Sequence, residues 1–415
     1  MCLVFSLHFV GLAIAIWLVR QRSVVFAAAA TTVVAIASEL LQAWLGMTWS
    51  VTNLALTVAE TPVAQWAAVV TPFGVSGILY FVNFLLVPDH SDHWAVRWRG
   101  PAVAVSFAAL VWGGGLLLAS AIPAEPLAFS AMLVQPHERL IDGARWRPWL
   151  QLDPLTQSSL QRQGPVDLIV WPETCLSDSI DADTTSDSKP VSPQMTVQDF
   201  SRTLLPIYRT NCLVGVSMSK LETVHRYGFD LKVARRYNCG CLVSGSGQRL
   251  YHEKQVLVPL KESVPDWMNQ AWILSRMPHA LRLNAPFTPG GQFRVLPFQD
   301  SRGERRTIAV SVCYESFFPW LPQYHTVEPV DAIIHILYDG HSIDHPSLLR
   351  RQINACRYRA IETRTWNLVC STWAGTAIID PAGRVVRQLP ATAGVLRSDD
   401  LGSSKVARLS GGSLP

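Results

Sequence analysis

The sequence predicts an α/β domain preceded by a helical membrane domain, because its composition changes near residue 125. Residues 1–125 are dominated by Ala, Val, Leu, Phe and Trp, whereas 126–415 hold most of the charged residues. In the second part, short β-branched runs alternate with helical stretches, as in a layered α/β fold. With 415 residues the chain is too long for one ordinary domain. We therefore divide it into 1–125, 126–400 and a Gly/Ser-rich tail, 401–415, which is predicted to be disordered.

Four apolar segments in the first part are long enough to cross a bilayer, which takes roughly 20 residues. They are about 3–19, 24–45, 66–87 and 102–122. A cleavable signal peptide is the alternative for the first segment, but no basic residue precedes it and no clear small-residue cleavage site follows. The sequence therefore predicts about four transmembrane helices.

Arginines in the short loops indicate the orientation of these helices. Arg20 and Arg22 lie between the first and second segments, and Arg97 and Arg99 lie between the third and fourth. The loop 46–65 contains neither Lys nor Arg. Because basic loops stay in the cytoplasm, both termini and the α/β domain are predicted to lie outside it.

Net charge and cysteine spacing bear on possible partners and cofactors. The net charge of +4 is small and dispersed, which does not favour nucleic-acid binding. Cys239 and Cys241 form the only close pair among the eight cysteines, and no His or Cys cluster completes a zinc site. We expect no metal and no cofactor. An exported domain can hold a disulfide, but the spacing does not define its pairing.

The elements of the second part follow from apolar runs separated by turn residues. Strands are predicted at 128–135, 167–171, 211–216, 241–244, 248–251, 307–312, 332–337, 367–371 and 376–379. The Gly-Ser-Gly sequence at 245–247 predicts a hairpin. Helices are predicted at 197–205, ended by Pro206, and at 345–362, which is rich in arginine. The polar stretch 177–192 is predicted to be a surface loop.

The strand 307–312 ends on Cys313, where the polar residues Tyr314 and Glu315 begin. A buried strand that stops on a cysteine presents a nucleophile at the rim of a sheet, where its thiolate can attack an acyl carbonyl and form a thioester. A buried structural cysteine is the alternative and the usual role of a lone cysteine. Two other ionisable residues near strand ends favour the nucleophile.

Glu173 and Lys254 are these two residues. Glu173 follows the apolar run Leu-Ile-Val-Trp-Pro and is the candidate general base, since partial burial there raises a carboxyl pKa toward the working range. Lys254 stands beside the apolar run 256–259 and is the candidate that stabilises the oxyanion of the tetrahedral intermediate. A solvated turn carboxylate and a surface lysine are the respective alternatives.

Glu262, Tyr314 and Glu315 complete the candidate site as supporting residues. The two carboxylates are predicted to orient Lys254, with ordinary surface charges as the alternative. The tryptophan-rich stretches 44–49 and 265–272, together with Trp66, are candidates for the lining of an apolar substrate pocket, or else for anchors at the membrane interface.

The chain order Glu, Lys, Cys resembles the nitrilase superfamily, and the flanking sequences resemble apolipoprotein N-acyltransferases. That family shows Trp-Pro-Glu-Thr, found here at 171–174, and Cys-Tyr-Glu, found at 313–315. It also shows Tyr-x-Lys-x-x-Leu-Val-Pro-x-x-Glu-x-x-Pro, which matches from Lys254 to Pro265, although Tyr251 stands one residue too early. Further matches extend over most of the chain, at 46–54, 72–78, 133–135, 359–362 and 379–383.

This resemblance implies a nitrilase-like four-layer αββα sandwich, with Glu173, Lys254 and Cys313 as the catalytic triad. Cys313 would take an acyl chain from a phospholipid and pass it to the N-terminal amine of a diacylglyceryl-cysteine apolipoprotein. The implied partners are the phospholipid donor, the apolipoprotein acceptor and membrane lipids. The implied location is the bacterial inner membrane, crossed several times, with the catalytic domain on the periplasmic side. The orientation predicted from the loop arginines agrees with a catalytic domain on the periplasmic side.

The sequence departs from the family pattern at several positions. The family has about seven or eight spans, including one after the catalytic domain, whereas this chain shows about four. The turn after 332–337 is commonly Asn-Asp-x-Trp but reads Tyr-Asp-Gly-His at 338–341. Lys261 replaces a common Gly, and Trp373-Ala374 replaces Asn-Gly. These departures lie near the expected pocket and bear on substrate identity more than on the Glu-Lys-Cys chemistry.

Two other functions remain open from the sequence. One is a membrane-tethered nitrilase-type amidase that uses water as acceptor and acts on a small amide or nitrile. The other is a degenerate, non-catalytic member that binds a lipid or a partner protein. A cleft open to lipid favours the acyltransferase, and a closed polar pocket favours the amidase. A triad with the wrong geometry favours the non-catalytic member.

Overall fold

Apolar helices precede a sandwich of two β-sheets in the computed structural model. The structure describes residues 2–19, 23–44, 53–87, 98–123, 125–136, 148–179, 195–226, 229–259, 261–263, 287–291, 293–319, 329–339, 346–391 and 394–399. The predicted tail 401–415, most of the loop 177–192 and three of the four loop arginines lie outside these residues.

The described residues of the apolar part form four long helices, with two short 3₁₀ helices, Leu54–Val58 and Pro62–Trp66, between the second and third. The four are α1 (Cys2–Val19), α2 (Val24–Trp44), α3 (Ala67–Leu85) and α4 (Arg99–Ser120). Within the described residues, three stretches are long and apolar enough to cross a membrane: Val24–Ala43, Pro62–Leu85 and Arg99–Ser120. The first predicted span is helical, and its membrane crossing stays a prediction.

The described residues of the second part contain thirteen strands and four further α-helices. The strands are β1 (Ala131–Gln135), β2 (Leu168–Val170), β3 (Leu176–Ser179), β4 (Asn211–Arg226), β5 (Phe229–Val243), β6 (Arg249–Glu253), β7 (Leu296–Gln299), β8 (Arg305–Val312), β9 (Ala332–Leu337), β10 (Trp366–Ser371), β11 (Ala377–Ile379), β12 (Val385–Gln388) and β13 (Gly394–Arg397). The helices are α5 (Trp149–Gln163), α6 (Val197–Thr203), α7 (Leu205–Tyr208) and α8 (Pro346–Thr363).

These strands form two sheets that pack face to face. The first has the order β13-β1-β2-β4-β5-β6, with β3 also paired to β4, and the second has the order β12-β11-β10-β9-β8-β7. Strand β1 shows how both faces are covered: Ala131 and Leu133 point into the core between the sheets, and Met132 and Val134 point into the outer core. Such burial on both faces explains the nearly continuous apolar sequence of the central strands.

Helices cover the outer faces and complete four layers. Residues of α5, α6 and α7 share the apolar cluster on the outer face of the first sheet. Ile353, Cys356 and Ala360 of α8 pack on Val369 and Ile379 of the second sheet. The predicted αββα sandwich is therefore confirmed.

Among the predicted elements, the largest differences lie between residues 197 and 243. Helix α5 and strands β3, β7, β12 and β13 were not predicted, and β3 covers the start of the predicted loop 177–192. Pro206 does not simply end a helix; it stands in the first turn of α7, where its missing N–H has no intrahelical partner to lose. The strand predicted at 211–216 continues to Arg226 and pairs with β5 in a long antiparallel hairpin. Its outer half is polar, so it lacks the apolar run on which the prediction relied.

The helical membrane part packs on α8. Ala55 and Leu56 form an apolar cluster with Tyr358 and neighbouring α8 residues. The Tyr358 hydroxyl donates to Ala55 O at 2.7 Å, and Asn354 Nδ2 donates to Leu56 O at 2.8 Å. Helix α8 is thus buried between the second sheet and the membrane part, and it joins the two.

Candidate active site

Three loops that follow strands converge at one end of the sandwich. Glu173 follows β2, Lys254 follows β6 and Cys313 follows β8. Strand β2 runs parallel to β1 and β4, and β8 runs parallel to β9. The carboxyl ends of parallel strands are where α/β proteins build sites. The structure therefore brings together the three residues that were proposed separately from the sequence.

Lys254 is completely buried, and two carboxylates surround its ammonium group. Its Nζ lies 2.9 Å from Glu262 Oε1 and 3.8 Å from Glu173 Oε1. Burial lowers the pKa of Lys254, but the negative charges of Cys313, once that group is ionised, of Glu173 and of Glu262 outweigh this effect and raise that pKa above its usual value. The lysine therefore stays charged throughout the physiological range, as an oxyanion-stabilising cation must.

Glu173 is buried with its two oxygens in different surroundings. Oε1 accepts from Asn238 Nδ2 at 2.6 Å. Oε2 is buried without a partner in the hydrogen-bond network, and the Cys313 thiol stands close enough to interact with this carboxylate. Burial raises the pKa of Glu173, Lys254 lowers it and Glu262 raises it, with a net rise. A carboxylate with a raised pKa and a free oxygen beside a thiol is suited to act as a base.

Cys313 is half-buried and opens the 3₁₀ helix Cys313–Phe317 with a left-handed φ of 53°. This conformation is strained for a residue with a side chain, and such strain is concentrated at functional sites. Burial raises the pKa of the Cys313 thiol to about 12, and Glu173 also raises it, while Lys254 lowers it. The resting group is therefore a thiol, and attack requires a base to take its proton.

Glu262 and Asn238 connect the lysine to the base. Glu262 Oε2 accepts from the Val258 N–H at 2.8 Å, so the loop folds back to hold this carboxylate against Lys254. Asn238 Nδ2 donates to Glu173 and also, at 3.2 Å, to Glu262 Oε1, and Asn238 O accepts from the Lys254 N–H at 2.8 Å. Sequence reasoning missed Asn238, because a single amide in a strand carries no periodic signal.

Glu315 does not contact the Lys254 ammonium, so the predicted orientation of the lysine is indirect. Its buried carboxylate accepts from the Gln255 N–H at 2.6 Å and from the Val312 N–H at 2.8 Å. It therefore ties the residue after Lys254 to the residue before Cys313. Burial raises the pKa of Glu315, but His252 and these N–H groups outweigh it and lower that pKa.

Tyr314 packs away from these charges. Its ring lies 5.0 Å from the Phe318 ring and 6.0 Å from the Phe317 ring, measured between centroids. Tyr314 and Phe318 belong to an apolar cluster under the nucleophile turn. The residue supports the turn by packing.

Gly215 on β4 lets the Glu173 turn lie directly on the sheet. Its N–H donates to Pro172 O at 3.2 Å, and its carbonyl accepts from the Cys175 N–H at 2.9 Å. A Cβ at this position would lie 2.3 Å from Pro172 O and 2.5 Å from Glu173 Cα. Only glycine permits this approach, and Thr174 completes the turn with a left-handed φ of 59°.

The positions that depart from the family pattern lie together beside the triad. Lys261 Nζ stands 5.9 Å from the centroid of the Tyr338 ring. Asp339, the next residue, is buried and accepts from Thr372 Oγ1 and from the Ala374 N–H, both at 2.9 Å. The carboxylate of Asp339 thus joins the two segments that differ from the family pattern, the turn that begins at Tyr338 and the turn at Trp373-Ala374. Lys261 lies over the ring of Tyr338.

Trp66, a candidate for the pocket lining, has a role within the helical part. Its indole N–H donates to Val111 O of α4 at 2.8 Å. The side chains of the other lining candidates, 44–49 and 265–272, lie outside the described part of the chain.

Comparisons with known proteins identify the family of this chain. A family model described as carbon-nitrogen hydrolase matches residues 132–399. The apolipoprotein N-acyltransferase of Azotobacter vinelandii is 26% identical over 309 residues, which cover 70% of this chain and 52% of the relative. That of Pseudomonas putida is 29% identical over 303 residues, with the same coverage of 70% and 52%. The chain thus spans about half the length of these curated relatives.

A solved structure with a similar chain path is Nit3 of Saccharomyces cerevisiae, a member of branch 10 of the nitrilase superfamily. The match covers 65% of this chain and 88% of that chain, with 15% sequence identity and a TM-score of 0.41.

The substitution Gly215→Ala tests how closely the Glu173 turn depends on β4. The added Cβ would overlap backbone atoms that cannot rotate away. We expect unfolding stability to fall by about 1–3 kcal/mol, the usual cost of overpacking. Gly245→Ala is the matched control, since its nearest neighbour would lie at 4.0 Å. Thermal unfolding of both full-length variants in detergent measures the effect, and a wild-type melting temperature for Gly215→Ala would contradict it.

Proposed function

The chain belongs to the carbon-nitrogen hydrolase family, and from this we propose that it transfers an acyl chain from a phospholipid to the N-terminal amine of a diacylglyceryl-cysteine apolipoprotein. One observation carries the proposal beyond the family: helix α8 contacts both the nucleophile turn and the membrane part. Gln352 Nε2 donates to Cys313 O at 3.5 Å, and Asn354, two residues on, donates to Leu56 O. A water-using amidase has no need of such a junction.

In the first half-reaction, Glu173 takes the proton of the Cys313 thiol. The thiolate attacks the ester carbonyl of the phospholipid, and the charge that develops on its oxygen is stabilised by Lys254. Collapse of the tetrahedral intermediate breaks the ester bond. The lysophospholipid alkoxide leaves with the proton held by Glu173, and the acyl chain stays on Cys313 as a thioester.

In the second half-reaction, the α-amine of the acceptor attacks the thioester. Glu173 takes a proton from the amine, and Lys254 again faces the oxyanion. The Cys313 thiolate leaves and recovers the proton, so that an amide forms and the enzyme returns to its starting state. Through both half-reactions, the hydrogen bonds of Glu262 and Asn238 hold Lys254 and Glu173 in position.

The proposal includes a location. Helices α2, α3 and α4 are long and apolar enough to cross a membrane. Since the acceptors in the proposed reaction are exported proteins, we propose that the α/β domain lies on the periplasmic side of the bacterial inner membrane. Arg99 begins α4, on the side predicted to be cytoplasmic.

Acylation of Cys313 is the direct test of the function. Incubating the full-length protein with phospholipid should add the mass of one acyl chain to the peptide that contains Cys313, and Cys313→Ala should remove the adduct. Each buried methylene contributes about 0.8 kcal/mol, so lipid-length donors should react faster than short esters by orders of magnitude. An adduct on Cys175 would contradict the assignment of Cys313 as the nucleophile. No dependence on chain length, or faster turnover of a small soluble amide, would contradict the acyltransferase.

The rate of thioester formation should depend on the protonation of Glu173. Because burial and Glu262 raise the pKa of Glu173 above its usual value of 4.5, the rate should fall with decreasing pH on a limb above that value. Glu262→Gln removes one negative charge and should move this limb to lower pH. Glu304→Gln, an exposed carboxylate on the turn before β8, is the control. A limb that does not move in Glu262→Gln would exclude Glu173 as the titrating base.

Reporter fusions test the orientation. An alkaline phosphatase joined to the C-terminus should be active, because that enzyme folds only outside the cytoplasm, and a cytoplasmic reporter at the same position should be inactive. The basic loops at Arg20, Arg22, Arg97 and Arg99 are the physical reason. The reverse pattern would rule out the acyltransferase, since its acceptors would lie on the other side.

A further inference from the structure

Lys261 is an exposed lysine beside the triad, and its position is defined by its contacts. Lys261 immediately precedes Glu262, the carboxylate that holds Lys254. Its backbone N–H donates to Val258 O at 3.3 Å, so it belongs to the same folded-back loop. Its side chain is exposed, and its ammonium lies 5.9 Å from the centroid of the Tyr338 ring, within the range of a cation–π contact.

Both members of this pair face the triad. The charge of Lys261 acts on Cys313, where it opposes the rise of the thiol pKa. Burial, together with the neighbouring charges of Glu173 and Asp339, raises the pKa of Tyr338 to about 12. The exposed ammonium of Lys261 is therefore close enough to the nucleophile to act on it electrostatically, and Tyr338 is close enough to the base to be affected by its charge.

The ring is a fixed platform for the lysine. Asp339 anchors the loop through Thr372 and Ala374, and its carboxylate is buried in those contacts. Among the residues that the structure describes, no carboxylate forms an ion pair with Lys261. A cation that is positioned by an aromatic ring and left open to solvent is suited to bind an anionic group of a ligand.

We propose that Lys261, held over Tyr338, is a specificity-determining residue that binds the phosphate of the acyl donor and favours anionic over zwitterionic phospholipids. This inference rests on the proposed function. Only a glycerol unit separates the reacting ester from the phosphate, so a donor with its carbonyl at Cys313 places its phosphate near the mouth of the site. An anionic headgroup adds attraction to Lys261, whereas the ammonium of a zwitterionic headgroup is repelled by it.

Thioester formation on Cys313 should be measured with phosphatidylglycerol and with phosphatidylethanolamine, each diluted in neutral detergent micelles and matched in acyl chains. The wild type should react faster with phosphatidylglycerol, and Lys261→Met should reduce the ratio of the two rates by about fivefold, the scale of one partly exposed ion pair. Lys261→Arg should keep the ratio, and Tyr338→Leu should lower it. Lys232→Met, an exposed lysine on β5, is the control for general charge.

The outcomes separate the inference from the function on which it rests. If Cys313 forms no thioester with either lipid, the proposed function fails and the inference fails with it. If thioesters form but Lys261→Met leaves the ratio unchanged, or Lys232→Met changes it equally, only the inference is wrong. A Lys261→Met variant that acylates normally but transfers slowly to the acceptor amine would assign the lysine to the acceptor and would also overturn it.

Discussion

The fully buried ammonium of Lys254 is the constraint on which the site depends. An ammonium group removed from water costs several kcal/mol unless carboxylates and hydrogen bonds replace the lost hydration. Glu262 supplies one carboxylate because its loop folds back on itself, and Glu173 supplies the other from a different strand. Asn238 holds both carboxylates at once. The demand for charge compensation therefore brings three distant segments to one point, and the same arrangement makes a base, a cation and a nucleophile neighbours.

The nucleophile is held by a second buried carboxylate with a different role. Glu315 accepts N–H groups from both the nucleophile strand and the lysine segment, so the strained φ of Cys313 is over-determined by its surroundings. From the other side, Gln352 of α8 reaches the Cys313 carbonyl. Since the membrane part packs on the same helix through Asn354 and Tyr358, the position of the thiol is coupled to that of the membrane helices.

Much of the fold was predictable because central strands and apolar helices have strong sequence patterns. Strand β9 has its predicted bounds, and β8, β10 and β11 differ by only one or two residues. Glu173, Lys254 and Cys313 could be proposed because each follows such a run. Asn238 could not be proposed from the sequence, because a single amide in a strand has no periodic signal and its partners lie far away in the chain. Gly215 was missed for the same reason, since only the backbone that crosses it shows why a side chain is excluded.

The sequence by itself determined the two-part organisation, the layered α/β class and the order of the three reactive residues, because these depend on local hydrophobicity and on residues next to one another in the chain. The four-layer αββα form was implied by the family resemblance. Only the tertiary structure decided which carboxylate touches Lys254, that Glu315 acts through backbone groups instead, and that Lys261 lies over Tyr338. Those relations depend on distances between residues far apart in sequence. Such distances are set when strands from two sheets pack together with helix α8, which also contacts the membrane part, and no local pattern encodes them.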